Sequence, residues 1–266
     1  MLALTLAGCS RSPRQVGVAT APADTSLRAP NGAQVPGGEM GRSILRGHAI
    51  LAATRDSLPA HVGSSLRCIS CHLGDGRRKD ALPLTGVYAR FPQYRSRVAA
   101  VQHLEDRIND CFLRSLNGSA LPFDDPAMRD IVNYFAFISR GVPVEAAAHD
   151  TLSGPTAGDT VAGARVFVMQ CARCHGPDGA GQAAYPPLWG PKSFNIGAGM
   201  ARLRTAQAFI RHNMPFDQPG TLNDIDALNV AAYVTSRSRP DFAGKEKDWP
   251  LGDAPIDTPY RTLAAP

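Results

Sequence analysis

The pattern Cys-x-x-Cys-His occurs twice in this sequence, as Cys68-Ile69-Ser70-Cys71-His72 and as Cys171-Ala172-Arg173-Cys174-His175. It is the attachment signature of c-type haem, in which two thiols form thioethers with the porphyrin and the adjacent imidazole binds the iron. A structural zinc site would need a second Cys-x-x-Cys pair within roughly 15–20 residues, and a thioredoxin-like motif would need a βαβ context. Neither is present, so we predict two covalently bound haem c groups. Their attachment thiols are Cys68, Cys71, Cys171 and Cys174, and their proximal iron ligands are His72 and His175.

Helical patterns surround both motifs. One opens near Gly41 in the first half and another near Gly163 in the second, and each leads to a haem motif. Each half closes with an amphipathic helix, predicted over residues 125–140 and 224–237. The apolar faces of these helices contain Ile131, Tyr134, Phe135 and Ile138 in the first half, and Leu228, Ala231, Ala232 and Val234 in the second. Since no long β-alternation is present, we predict an all-α fold in which each half runs from helix to attachment motif, long loop and helix.

Length and composition limit the alternatives. The 266 residues suffice for two compact units, at roughly 150 residues per domain. Hydrophobic residues make up 44% of the chain, which excludes a disordered protein, and no apolar run is long enough to span a bilayer. Aromatic residues make up only 7% and do not interleave with basic ones, so we predict no nucleic-acid partner. The net charge of +5 suits a small anionic substrate as well as a membrane surface.

The N-terminal residues resemble a bacterial lipoprotein leader. Leu6-Ala7-Gly8-Cys9 matches a lipoprotein cleavage box, and residues 10–36 are rich in Pro, Ala, Ser and Gly, as expected of a tether. We therefore predict a periplasmic protein that contacts the membrane only through a lipid on Cys9. The alternative is an ordinary N-terminus with a stray cysteine, because the basic residues that usually begin such a leader are missing.

Shifts in composition divide the chain into six predicted segments. They are a lipoprotein signal remnant (1–8), a disordered tether (9–37), a first haem domain (38–142), a linker (143–160), a second haem domain (161–240) and a tail that packs on the domains (241–266). The linker is rich in Ala, Gly, Pro and Thr, a composition typical of connections between domains.

Each haem iron needs a distal ligand, and the second half offers a methionine. Met214 lies beyond His175 and follows a helical segment over residues 202–212, as is usual for the distal methionine of a single-haem cytochrome c. Ligation by His and Met raises the potential of the haem, so the site accepts electrons. Met200 and His212 are lesser candidates, and a methionine at helical spacing is also common as a core residue.

In the first half, the corresponding position is a cysteine. The same number of residues separates His72 from Cys111 as separates His175 from Met214. Cys111 lies in a predicted helix that ends at Asn117-Gly118. The apolar stripe of this helix comprises Val98, Val101, Leu104, Ile108, Phe112 and Leu116. We predict that Cys111 is the distal ligand of the first haem; the alternative is a buried structural thiol.

Arginines accompany this cysteine along the predicted helix. Arg107, Cys111 and Ser115 follow one another at intervals of four residues, and therefore lie in one line. Arg114 falls beside them, and Arg97 joins them if the helix begins that early. Positive charge favours the thiolate form of a cysteine, and guanidinium groups bind oxyanions through paired donors. We predict an anion site here; the alternative is a solvated helix face.

The chain resembles the diheme thiosulfate dehydrogenase (tetrathionate synthase) family, which is distantly related to sulfur-oxidation cytochromes with a Cys-ligated haem. The resemblance runs from Gly38 to Tyr260 and is most specific in the helix around Cys111. The matching stretches are Cys68–Gly76, Leu82–Val87, Phe91–Arg97, Arg107–Gly118, Pro186–Gly190, Ser193–Met200, Asn213–Pro215 and Lys245–Pro250.

The resemblance implies two class I cytochrome c domains, each binding one covalent haem. It implies His72/Cys111 ligation of an active-site haem in the first domain and exit of electrons through the haem of the second. It also implies a substrate pocket that includes Arg97, Arg107 and Ser115. Some members of the family carry Lys beside the distal methionine and exchange ligands with redox state. Asn213 stands at that position here, so we do not expect the exchange.

The expected activity is oxidation of two thiosulfate ions to tetrathionate, with an external cytochrome c or another protein as electron acceptor. Three alternatives remain. A diheme electron carrier would have ordinary Met or His ligation at both irons and no role for Cys111. A sulfur-oxidation cytochrome acting on a carrier protein would need a docking surface for that carrier. Tetrathionate reduction would be the same reaction run in reverse.

Overall fold

The structure, a computed structural model, describes residues 29–142 and 154–264. Cys9, and with it the predicted lipid anchor, lies outside the described residues, as does the part of the predicted linker over residues 143–153. Within the described ranges, none of the helices has the length and apolar character needed to cross a bilayer.

Over the described residues, the first domain is built from four α-helices and one small hairpin. Its α-helices are α1 (Gly38–Ala52), α2 (Thr54–Ser57), α3 (Leu104–Asp110) and α4 (Pro126–Ile138), and its antiparallel strands are β1 (Gln93–Arg95) and β2 (Ala100–Gln102). A π-helical turn, Cys111–Ser115, continues α3. Short 3₁₀ turns lie at Gly32–Gln34, Pro59–His61, Cys68–Ser70 and Tyr88–Arg90.

Helices α1 and α4 cross at a glycine. A Cβ atom on Gly47 would lie 2.1 Å from the carbonyl oxygen of Asp130, so only glycine permits this approach. The Asp130 carboxylate is buried and accepts hydrogen bonds from Ser43 Oγ (2.6 Å) and Arg46 Nε (2.8 Å). The crossing therefore combines close backbone packing with a buried, paired charge.

The second domain repeats this arrangement. Its helices are α5 (Thr160–Val166), α6 (Ala172–His175), α7 (Leu203–Asn213) and α8 (Asp224–Thr235). A π-helical turn, Phe167–Cys171, joins α5 to α6, and a 3₁₀ turn lies at Gly199–Ala201. Another 3₁₀ turn, Lys245–Lys247, lies in the C-terminal tail. Helices α5 and α8 also cross at a glycine, since a Cβ atom on Gly163 would lie 2.0 Å from the carbonyl oxygen of Asn229.

The predicted all-α class is confirmed over the described ranges, with one small hairpin added. The helix starts are corrected: α1 begins at Gly38 and α5 at Thr160, so Gly41 and Gly163 both lie inside their helices. Both glycines are needed where another backbone approaches closely, and neither marks a helix start.

The helix containing Cys111 is shorter than predicted. It begins at Leu104, because the side chain of Asp106 accepts a hydrogen bond from the backbone N–H of His103 (2.8 Å) and caps the helix there. Residues 93–102 form the hairpin instead. Val98 and Val101, which were expected on the apolar stripe, are 37% and 64% exposed.

The two domains and the C-terminal tail contact one another through buried polar groups. Arg114 of the first domain forms two hydrogen bonds, of 2.7 and 2.8 Å, with the carboxylate of Asp248 in the tail. The tail also donates from the backbone N–H of Trp249 to the carbonyl of Arg97 (2.8 Å). From the second domain, Asn195 Nδ2 donates to the carbonyl of Leu113 (2.8 Å). These contacts join the π-helical turn of Cys111 to the other half of the molecule.

Candidate haem and thiol site

Both haem motifs orient their histidine in the same way. His72 Nδ1 lies 2.5 Å from the carbonyl oxygen of Leu82, and His175 Nδ1 lies 2.8 Å from that of Pro186. A carbonyl oxygen only accepts, so Nδ1 carries the proton in each ring and Nε2 keeps a free lone pair for a metal. Two thiols on one turn, followed by an imidazole held in this tautomer, are the donor set that haem c requires. The residues present therefore fit the group.

A cavity of about 750 Å³ lies beside the first motif. The first domain contributes Cys68, Cys71 and His72 to one part of its wall, and Cys111 and Ser115 to another. Apolar side chains of the same domain complete this part of the wall: Leu66, Leu84, Val87, Phe91, Leu104, Ile108, Phe112, Leu116, Ile131 and Phe135. The second domain closes the cavity with Met200, Arg202, Phe209 and His212. The space thus lies between the two domains.

Cys111 differs electrostatically from the two attachment thiols in the same cavity. Burial raises the pKa of Cys68 and of Cys71 to about 12. Burial also opposes the ionisation of Cys111, but the charge of Arg107 and the proximity of His72 outweigh it and lower the pKa of Cys111 to about 7. The Nη1 atom of Arg107 lies 3.1 Å from Cys111 Sγ. Of these three thiols, Cys111 therefore ionises most readily near neutral pH.

The structure brings together most of the residues predicted for the first site. His72, Arg107, Cys111 and Ser115 all line the cavity. Cys111 and Ser115 lie in the π-helical turn, in which the backbone N–H of Leu116 donates to the carbonyl of Cys111 (2.8 Å), five residues back. Such turns within α-helices are frequent at functional sites.

Two of the expected arginines are not brought to the cavity wall. Arg97 Nη1 donates to the carbonyl of Gly197 (2.8 Å), and its guanidinium lies over the ring of Trp249, 4.5 Å from the centroid. Arg114 is paired with Asp248 and lies over the ring of Phe242 at 4.2 Å. Both guanidinium groups hold the domains and the tail together, because α3 begins too late to carry Arg97 and Arg114 faces away from the cavity.

Other basic residues line the cavity that sequence reasoning missed. Arg90, Arg95 and Arg202 are among them. The alternation of the hairpin could have indicated Arg95, because Tyr94 and its cross-strand partner Val101 face solvent and residues next to Tyr94 must point the other way. Arg202 belongs to the other domain, and no pattern in the sequence indicates that it reaches this cavity.

The predicted ligands of the second haem lie on different elements. His175 ends α6, and its pKa is lowered by burial. Met214 follows the last residue of α7 and packs against an apolar cluster that includes Leu73, Ala81 and Phe209. Met200 packs against the same cluster and also lines the cavity of the first motif. Ligation of the second iron by Met214 stays a prediction.

Comparison with known families assigns each half of the chain separately. Residues 61–144 match the family described as SoxA/TsdA, cytochrome c domain. Residues 158–234 match the family described as cytochrome c oxidase, cbb3-type, subunit III. The predicted two cytochrome c domains, with two covalent haem c groups, are thereby confirmed.

Similar proteins share both domains. The thiosulfate dehydrogenase of Psychrobacter arcticus is 39% identical over 251 residues, which cover 91% of this chain and 77% of that protein. The thiosulfate dehydrogenase of Allochromatium vinosum is 43% identical over 241 residues, which cover 85% of this chain and 89% of that protein. The solved structure of the thiosulfate dehydrogenase of Marichromatium purpuratum, as isolated, matches with a TM-score of 0.78 and 31% identity, over 86% of this chain and 54% of the other. The chain therefore belongs to the thiosulfate dehydrogenase family of diheme c-type cytochromes.

Proposed function

We propose that this protein oxidises thiosulfate and joins two molecules of it as tetrathionate. The observation that carries the proposal is the 3.1 Å contact between Arg107 Nη1 and Cys111 Sγ, inside the cavity that also holds Cys68 and Cys71. A thiol beside a guanidinium is readily ionised, and the thiolate is the form that bonds to sulfur. The activity for which the relatives are named supports the same substrate.

The reaction joins the outer sulfur atoms of two thiosulfate dianions and releases two electrons. In the first step, the thiolate of Cys111 bonds to the outer sulfur of one thiosulfate, and two electrons leave the site. In the second step, the outer sulfur of another thiosulfate attacks that bound sulfur, tetrathionate forms and Cys111 departs as a thiolate. No proton is taken up or released.

Haem c, when bound by the two Cys-x-x-Cys-His motifs, supplies an acceptor for one electron at each of two sites. The residues of the chain have a different task, because the substrates repel one another. Two like charges 4 Å apart interact unfavourably by about 4 kcal/mol at an effective dielectric constant of about 20. Arg107 and Ser115 supply donors beside Cys111, and these donors hold sulfonate oxygens and offset part of that repulsion.

The test of the function is thiosulfate-dependent reduction of ferricyanide by the protein carrying both haems. We expect one tetrathionate per two ferricyanide ions reduced, because the coupling releases two electrons. Reduction of the haems by dithionite but not by thiosulfate would contradict the proposal and leave an electron carrier. Formation of a thiosulfate adduct on a separate carrier protein, without tetrathionate, would favour a sulfur-loading cytochrome.

We further propose that the first domain, residues 38–142, holds the substrate and that the second, residues 161–240, passes electrons to an external cytochrome c. The lipobox motif favours a periplasmic protein anchored through a lipid on Cys9. Expression with a complete leader should place the protein in the membrane fraction, and Cys9→Ala should release it. Equal retention of the two forms would contradict the lipid anchor.

A further inference from the structure

The arginines near the first site fall into two groups that differ in their partners. Arg97 and Arg114 each contact a hydrogen-bond acceptor and an aromatic ring away from the cavity, although Nε of Arg114 has no hydrogen-bond partner among the described residues. Arg95 and Arg202 line the cavity instead. The hydrogen bond of Arg95 is a long one to Gln93 on its own strand (3.5 Å). Within the part of the chain that the structure describes, the buried Nε atom of Arg202 has no hydrogen-bond partner.

The side chains of Arg95 and Arg202 are both half-buried, and nearby positive charge makes the cavity wall a less favourable place for the guanidinium of Arg95. Burial lowers the pKa of Arg95, and the neighbouring charge of Arg107 lowers it further. Asp110 acts in the opposite sense, but its carboxylate already lies 3.7 Å from Arg114 Nε. Two cationic side chains in this situation are stabilised when an anion enters the cavity.

We propose that Arg95 and Arg202 form a second oxyanion subsite, which binds the sulfonate group that lies away from Cys111. This inference rests on the proposed function and completes it. Tetrathionate carries a sulfonate at each end, so Arg107 and Ser115 bind one end beside the thiol, and Arg95 and Arg202 bind the other. Before coupling, the same two arginines hold the attacking thiosulfate.

The subsite combines the two domains. Arg95 lies on β1 of the first domain, and Arg202 lies immediately before α7 of the second. The two domains are joined nearby by a hydrogen bond from Asn195 Nδ2 to the carbonyl of Leu113. The second domain therefore contributes a substrate-binding residue in addition to its haem.

Binding measurements without turnover test the proposal. Oxidised protein carrying both haems cannot reduce tetrathionate. Titration of tetrathionate into this protein in a calorimeter therefore reports affinity alone. We expect Arg95→Gln and Arg202→Gln each to raise the Kd for tetrathionate roughly 10- to 100-fold, as for the loss of a charge-assisted hydrogen bond. Arg165→Gln, which removes the same charge from an exposed position on α5, should leave the Kd unchanged.

The haem propionates are the other anions that these arginines could bind. An unchanged Kd in both variants, with a shifted midpoint potential of the first haem, would overturn the proposal and assign the arginines to the propionates. If Arg202→Gln fails to incorporate haem, Arg202→Lys serves instead. Lysine keeps the charge but loses the paired donors, so a raised Kd supports the subsite and an unchanged Kd overturns it.

A different result would contradict the proposed function rather than the subsite. If the wild-type protein neither binds tetrathionate nor oxidises thiosulfate, the function itself is wrong. If it does both while Arg95→Gln and Arg202→Gln bind tetrathionate normally, only the subsite is wrong. Cys111→Ser should still bind tetrathionate, because both pairs of sulfonate-binding residues remain.

Discussion

The two halves of this molecule share one framework, but they carry chemically different side chains at one equivalent position. In each half, a helix before the haem motif crosses a closing helix at a glycine, Gly47 or Gly163. A Cβ atom on either glycine would also lie 2.9 Å from the Cβ atom of a tyrosine on the closing helix, Tyr134 or Tyr233. The framework that holds a haem is therefore repeated down to individual contacts.

The difference lies at the residue that follows the proximal histidine at equal spacing. It is Cys111 in the first half, with a guanidinium nitrogen 3.1 Å away, and Met214 in the second, packed in an apolar cluster. The π-helical turns differ correspondingly, since the first begins at Cys111 and the second ends at the attachment residue Cys171. Haem attachment therefore follows from the common fold, whereas reactivity follows from the charges beside the side chain of Cys111.

The strongest test of this difference replaces each residue in turn. We expect Cys111→Gly to abolish thiosulfate oxidation, because no other thiol among the described residues lines the cavity once Cys68 and Cys71 hold the haem. Met214→Gly should instead lower the potential of the second haem and slow electron exit, since methionine ligation raises that potential. Ferricyanide reduction, redox titration and the low-spin ferric spectrum of the first haem distinguish the two effects.

Intact mass provides the control for these variants, since both should retain two haems through their thioethers. If Cys111→Gly turns over at nearly the wild-type rate, the two halves are functionally equivalent and the protein is an electron carrier. If Met214→Gly leaves the potential of the second haem unchanged, another residue ligates that iron.

The shared framework is tested by filling the space at each helix crossing. Gly47→Ala and Gly163→Ala should each destabilise their own domain by about 1–3 kcal/mol or more, because the added methyl group would overlap a backbone carbonyl. Hydrogen exchange of α1 and α4, compared with α5 and α8, measures the two domains separately. Gly199→Ala provides the control, since a Cβ atom there meets nothing within 4 Å. Loss of protection in only one of the two domains would show that the crossings are not equivalent.

The shared framework could be predicted from the sequence, and much of the difference could not. The haem motifs and the closing helices leave local signals, because attachment spacing and helical periodicity are local properties. Cys111 could be found because it repeats the spacing of Met214. The equivalence of Gly47 and Gly163 left no such signal, since it depends on which backbone lies opposite.

The arginines show most clearly where the sequence was insufficient. Arg97 and Arg107 look equally suitable as ligands for an anion, but Arg97 is bound by Gly197 and Trp249, both distant in sequence. Arg202 approaches the first haem motif only because the two domains pack against each other. Long-range packing decides which guanidinium groups remain free to bind an anion, and local sequence patterns do not reveal this packing.

That division among the arginines gives the next prediction. Arg107→Ala should lower kcat/KM for thiosulfate, with a loss of transition-state stabilisation of about 1.5–3 kcal/mol, as expected for a lost charge-assisted interaction. The free energy of unfolding should change little. Arg97→Ala should chiefly lower the free energy of unfolding, because it loses the contacts with Gly197 and Trp249. Steady-state kinetics and denaturant unfolding of both variants separate these effects. A larger loss of kcat/KM in Arg97→Ala than in Arg107→Ala would place Arg97 in the substrate site after all.

The last comparison concerns the polar groups beside the two crossings. In the first domain, Ser43 Oγ donates to the buried Asp130 carboxylate and also accepts from Asn133 (2.8 Å), so Ser43→Ala should cost about 1.5–3 kcal/mol. In the second, Asn229 Oδ1 accepts from the exposed backbone N–H of Asp159 (2.9 Å), and Asn229→Ala should cost about 0.5–1.5 kcal/mol. Hydrogen exchange of α1 and α5 measures both. Removing a partner from a buried charge lowers the free energy of unfolding more than removing one from an exposed amide. Equal losses in the two variants would therefore mean that solvent reaches Asp130 as readily as it reaches the start of α5.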